Sequence, residues 1–170
     1  MAESLVTKLK LSIQATLTNP ADLVAGSAPL VYSKDLSWVS GTGVDQADRI
    51  FSDTRTIAAS GTDDLDLAGV LVDALGQTVS FVKVTAILIV AAAANTNDVI
   101  VGGAASAQFA TPFGAATHTV KVKPGGWMML VARDATAYGV TATTADLLRV
   151  ANSGAGTSVD YDVVIIGRSA

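Results

Sequence analysis

The chain opens on an alternation. Leu5, Leu9, Leu11, Ile13, Ala15 and Leu17 fall on one face of an extended backbone, and Lys8, Lys10, Ser12, Gln14 and Thr16 fall on the other. A period of two is that of a half-buried strand, so a strand is predicted from Leu5 to Leu17. Asn19-Pro20 closes it, because proline cannot donate to a ladder. From Ala21 to Lys34 small residues dominate and the alternation lapses, which predicts a loop or linker. The chain is therefore expected to divide into an N-terminal extended strand with its linker, residues 1–34, and a main body, residues 35–170.

Short apolar runs fill the body. Strands are predicted at Leu36–Ser40, Ile50–Ala58, Leu65–Ala68, Thr78–Val90, Asp98–Val101 and Ala107–Ala110. They continue at Thr119–Lys123, Trp127–Ala132, Tyr138–Thr143, Leu147–Ala151 and Asp160–Ile166. Turn-forming clusters separate them: SGTG, SGTDD, NTND, GGAAS, PGG and NSGAGTS. Many short strands with turn chemistry between them predict an all-β sandwich or barrel. Connections this short cannot hold parallel crossovers, so the pairing is expected to be antiparallel. Two segments admit a short helix as the alternative: Val44–Phe51, and Asp64–Leu75 with Leu67, Val70, Leu71 and Ala74 on one helical face.

Composition turns this fold towards association. A chain of 170 residues is long enough for one core without a metal or a disulfide. Hydrophobic residues make up 50% of it and charged residues only 15%, which leaves a surface short of charge and suited to cover by further subunits. A homo-oligomer held by apolar burial is the expectation. The absence of cysteine excludes disulfide scaffolds, thiolate metal sites and cysteine nucleophiles. The eleven lysines and arginines are scattered, so no basic patch is formed and no nucleic-acid partner is expected. The most apolar stretch, Val79–Ala94, is interrupted by Ser80, Lys83 and Thr85 and falls short of the about 20 residues of a spanning helix. A buried strand is expected there, with no membrane partner. The N-terminus lacks the apolar core of a signal peptide and is expected to be mature as written.

Reactive chemistry finds little footing. The single histidine, His118, cannot build a triad or a two-histidine zinc site alone, and is expected at the surface where the Thr119–Lys123 strand begins. Neither a Gly-x-Ser-x-Gly elbow nor a phosphate-binding Walker sequence is present. Gly41-Thr42-Gly43-Val44-Asp45-Gln46 has Gln46 where a dinucleotide fingerprint has its third glycine, so it reads as a tight turn. Asp63, Asp64 and Asp66 are the residue type that ligates calcium, but no calcium loop ending in a bidentate glutamate follows, and aspartate also favours turns. Asp160 and Asp162 share one face of a strand, which reads as a solvated face and not a paired-carboxylate cleft. Aromatic residues are 5% of the chain, too few for a stacking platform, and Trp38 and Trp127 are expected as core or interface anchors. No catalytic, cofactor-binding or metal-binding residue is assigned. The candidate site is a partner interface on the N-terminal strand: Leu5, Leu9, Leu11 and Ile13.

Five stretches carry a resemblance: LSWVSGTGVDQADRIFSDTRTIAASGTDDLDLAG, ALGQTVSFVKV, NTNDVIVGG, VKPGGWMMLVA and TTADLLRVANSGAGTSVDYDVVIIG. Together, from Leu36 to Gly167, they resemble a family of small virion structural proteins of tailed bacteriophages. The resemblance implies a jelly-roll type β-sandwich that assembles as a homotrimer, on a capsid as a cement or decoration protein or in a tail or baseplate. It also implies other virion proteins, the major capsid protein among them, as partners, and assembly in the host cytoplasm. A carbohydrate- or receptor-binding sandwich module is the alternative class. In the expected particle role, the N-terminal strand lies across neighbouring subunits and adds to the edge of a partner's sheet.

Overall fold

A computed structural model describes residues 4–20 and 23–170. Its strands are β1 (Thr7–Asn19), β2 (Gly26–Trp38), β3 (Arg49–Ile57), β4 (Thr62–Asp66), β5 (Leu71–Val72), β6 (Thr78–Val79) and β7 (Lys83–Ala91). They continue as β8 (Val99–Gly102), β9 (Thr119–Val122), β10 (Trp127–Val131), β11 (Tyr138–Gly139), β12 (Leu147–Asn152) and β13 (Val159–Arg168). No helix occurs among the described residues. The chain is all-β, and every ladder between these strands is antiparallel.

Two sheets form the sandwich-like body. One runs β10-β7-β13-β3, with β11 also on β7; the other runs β4-β12-β8-β9. Alternation along each strand sends every second side chain between them. Phe51, Ile87, Ile89, Val163 and Ile165 from the first sheet meet Leu65, Val99, Val101, Leu148 and Val150 from the second in a single buried cluster. One polar group crosses this core near an edge. The Tyr161 hydroxyl on β13 donates to Asp63 Oδ2 on β4 at 2.8 Å, and Arg55 on β3 donates to the same carboxylate. Burial first, then that hydrogen bond to the Asp63 carboxylate, holds the phenol well above its ordinary pKa.

β1 and β2 form a separate two-stranded arm. They pair from Thr7↔Trp38 to Asn19↔Gly26, 13 residues on each strand, a ribbon roughly 40 Å long at ~3.3 Å per residue. At its base Leu5, Leu9 and Leu36 pack with Trp38 against Ala86, Val131, Val164 and Ile166 on the outer face of the first sheet. Beyond Leu11 the arm leaves the body: Ser12–Asn19 and Gly26–Asp35 are exposed throughout.

Several expectations need correction. The predicted linker, Ala21 to Lys34, is strand from Gly26 onward, while Ala21 and Asp22 lie outside the described residues. Its alternation, Ala28, Leu30, Tyr32, Lys34 and Leu36, gains meaning only once β1 lies opposite. Pro29 is tolerated because a ribbon of two strands has two free edges. The predicted Thr78–Val90 strand is cut between β6 and β7, where Phe81 N donates to Leu67 O and Val82 N to Arg168 O, outside either ladder. Ala107–Ala110 forms a single bridge, Gln108↔Leu147, and no strand; Ala107 stands at φ +48° and turns the chain. Neither helical alternative forms. Across Asp64–Leu75, Leu67 and Leu71 are buried but Val70 is exposed, so the helical face is broken into β4, a turn and β5.

Candidate functional site

The residues that drew attention for chemistry are dispersed and each is accounted for locally. His118 is exposed just before β9. Asp160 and Asp162 point outward from β13 and accept hydrogen bonds from Thr56 and Thr54 across the ladder. Adjacent positions on a strand face opposite ways, so Asp63 meets Arg55 and Tyr161 while Asp64 forms a bidentate pair with Arg149, at 2.7 and 2.8 Å. Asp66 accepts from the Ala68 backbone N–H, a turn role. Among the described residues no three His, Asp or Glu side chains gather as a metal site. Gly41–Gln46 is a tight turn in which the Gly43 N–H donates to Gln46 Oε1 at 2.8 Å. Gly41 stands at φ +145°, a backbone conformation that L side chains rarely adopt, which accounts for the glycine.

A cleft of about 530 Å³ lies beside the arm base and includes Asp48, Arg49 and Asp73. Its carboxylates are engaged: Asp48 accepts from Ser169, and Asp73 accepts the N–H groups of Leu75 and Gln77. What remains there is a fold junction.

The arm and the sheet face beside it are different in kind. In the β1–β2 register, Leu9 faces Leu36, Ile13 faces Tyr32, Ala15 faces Leu30 and Leu17 faces Ala28, all on one side of the ribbon. The other side is mostly polar, with Ser12, Ser33, Gln14, Thr16, Thr18 and Ser27, and carries Val31 opposite Gln14 and Pro29 opposite Thr16. The expected interface residues divide along this ribbon. Leu5 and Leu9 are spent on the chain's own body, Leu11 lines a groove, and Ile13 is 47% exposed. Past Ile13 the apolar side is bare: Tyr32 is 50% exposed, Leu30 54% and Leu17 76%.

Where the arm lifts away, the outer sheet face is only partly covered: Leu88, Val90 and Met129 are half-buried and Trp127 is exposed. A groove of about 480 Å³ opens between Leu9 and Leu11 on the arm and Leu88, Val90, Trp127 and Met129 on β7 and β10. Trp127 is 57% exposed there, while Trp38 is buried at the arm base. The sequence carried signs of this patch that strand-by-strand reading missed. Val84–Ala91 is apolar on both of its faces, and Trp127, Met129 and Val131 repeat at period two. A strand apolar on both faces needs a second layer over it.

No family model, curated protein or solved structure matches this chain. No helix among the described residues is long and apolar enough to cross a membrane. The arm and the sheet face beside it both present apolar β-surface.

Proposed function

We propose that this chain is a non-enzymatic structural subunit of a tailed-phage particle, a capsid cement or decoration protein that assembles as a homotrimer and contacts the major capsid protein. The observation that carries the proposal is the projecting amphipathic arm, whose outer half has an apolar side that is exposed among the described residues. A two-stranded ribbon is marginal in water by itself, so such an arm is stable only when a partner completes it. The arm differs from the expected single strand in one respect: β2 pairs one edge of β1, so the arm offers a partner an apolar side as well as the free edge of each strand.

A jelly-roll reading of the body is part of the same proposal. With β3, β4, β7, β8, β9, β10, β12 and β13 counted as strands one to eight, the two sheets run 6-3-8-1 and 2-7-4-5. The neighbours one and eight, two and seven, three and six, and four and five are those of a hairpin ribbon wound into two sheets, the architecture shared by many capsid domains. Low charge and freedom from cysteine suit a subunit that folds in a reducing compartment and is then covered by neighbours.

Immunogold labelling of particles purified from the native source tests the proposal. A regular array of label on the heads is the expected result, and label absent from every particle would overturn it.

A further inference from the structure

The arm and the bare sheet face are two halves of one contact that do not meet within the chain. We infer that the outer half of the arm is held by a second copy of this protein, its apolar side lying on the neighbour's outer sheet face over Leu88, Val90, Trp127 and Met129. The inference deepens the assembly reading above and rests on it.

Three observations select this occupant. The first is continuity. The base of the arm already packs on this same sheet face in its own chain, Leu9 and Leu36 against Ala86 and Ile166. An arm arriving from a neighbour would extend that layer from Ala86 to the next outward residues of β7, Leu88 and Val90, without needing a new kind of surface. The second is chemical match. The arm offers Ile13, Leu17, Leu30 and Tyr32, flat and aliphatic-to-aromatic, and the sheet offers two aliphatic residues, a methionine and a tryptophan lying opposite Val90 in the β10–β7 register. The arm residues and Trp127 are exposed and Leu88, Val90 and Met129 are half-buried in the isolated chain, so one contact covers apolar surface on both sides.

Charge is the third. Lys34 is the one cation on the apolar side of the ribbon, opposite Leu11, and it has no carboxylate within ion-pair distance among the described residues. Asp162, beside Val90 on the sheet face, has a threonine hydroxyl as partner and no cation. The arm brings the cation and the face supplies the anion. Because arm and face are different surfaces, the contact is heterologous, and reciprocal or cyclic exchange closes it.

The chain lacks cysteine, so disulfide trapping reads the contact directly. Two differently tagged variants, Leu30→Cys and Trp127→Cys, both at exposed positions, would be refolded together and oxidised. The expected product is a mixed disulfide dimer, formed at least tenfold more than when Gln14→Cys, on the polar side of the arm, replaces Leu30→Cys. Three results would overturn the inference. A Leu30→Cys/Trp127→Cys double variant that closes only within single chains would show the arm folding back on its own sheet. Leu30→Cys dimers without mixed dimers would show arm-to-arm pairing. Folded variants with no interchain product would assign the arm to a different protein. The particle reading fails separately: mixed dimers together with unlabelled particles would remove the particle role and leave the exchange standing.

Discussion

The two outer faces of the sandwich are built from the same kind of antiparallel ladder and finished in opposite ways. On the β4-β12-β8-β9 sheet the outward positions carry charge in pairs: Arg149 with Asp64, and Lys121 and Lys123 with Asp98. On the β10-β7-β13-β3 sheet Ala86, Leu88, Val90, Trp127, Met129 and Val164 form an apolar stretch partly covered by the arm, beside the polar Thr54, Thr56, Asp160 and Asp162 of β3 and β13. A face meant for water alternates polar with apolar along every strand, whereas a face apolar on both sides of β7 is meant for another layer. On the proposed reading the apolar side of the molecule takes a further protein layer and the charged side faces solvent, and the arm belongs to the first.

The difference is broken most severely at Trp38. This indole is buried where the arm meets the sheet, and Trp38→Ala should cost about 3 kcal/mol, the low end of the usual range for large-to-small core changes. The low end is expected because the indole Nε1 is buried without a hydrogen-bond partner, so its removal also relieves an unsatisfied donor. Denaturant unfolding followed by fluorescence measures it, and a loss below 1 kcal/mol would show that the arm base is not seated on the body.

A like-for-like pair sharpens the comparison next. Leu88 and Ile100 are both outward and half-buried, on opposite sheets. Leu88→Asp should weaken self-association by about a hundredfold or more, since an unpaired carboxylate in an apolar contact costs several kcal/mol and about 1.4 kcal/mol is a factor of ten. Ile100→Asp, next to Lys121 across the ladder, should leave it unchanged. Light scattering across a dilution series reads both, and equal effects would erase the distinction between the faces.

Much of this was legible in the sequence, and the failures have identifiable causes. Period-two alternation placed β1, β3, β12 and β13 within a residue or two, because each carries its own inward and outward residues. The predicted tight turn at Gly41–Gln46 is present. β2 was unreadable because Ala21 to Lys34 is rich in small residues, and its apolar positions make sense only opposite Ile13 and Leu17. A partner strand far along the chain, or in this case across a turn, supplies information that no local window holds. The candidate site was half visible for the same reason. Leu5, Leu9, Leu11 and Ile13 all lie on or just before β1 of the ribbon, but which of them the body consumes depends on where the arm leaves the sheet. Tyr32 and Leu30 could enter only after the register was known, and Trp127, expected as a core or interface anchor, could be placed beside the arm only once the layers were known.

Between the two faces, the Tyr161–Asp63–Arg55 group ties one sheet to the other, and its response is set by pH. Tyr161→Phe should cost about 1.5 kcal/mol near neutrality, the value of a hydrogen bond to a charged acceptor. The folded-state pKa of Tyr161 is raised, so its contribution is complete below the ordinary tyrosine pKa of about 10 and is lost as pH climbs above it. The wild-type protein should therefore lose stability above pH ~10 faster than the phenylalanine variant, by up to about 1.4 kcal/mol per pH unit. Unfolding curves of the two proteins at neutral and strongly alkaline pH test the sign; a gap between them that widens with pH would contradict it.

The smallest effect belongs to the charged face. Arg149 and Asp64 form a bidentate pair, but the side chains remain 21% and 32% exposed, so water competes for both. Exposed pairs of this kind contribute about 0.2–1 kcal/mol, and they weaken with salt because the surrounding ions screen them. Arg149→Ala should therefore cost at most about 1 kcal/mol at low ionic strength and less at ~1 M salt, where the Debye length is about 3 Å. Self-association should not change at either ionic strength, since this face takes no part in it. Apolar burial responds to salt in the opposite sense or hardly at all, so the two faces separate under a single variable. Unfolding and light scattering of Arg149→Ala at low and high salt give both quantities at once. A variant that dissociates on losing this one arginine would show that the charged face is also an interface, and that its ion pairs lock subunits together instead of keeping them apart.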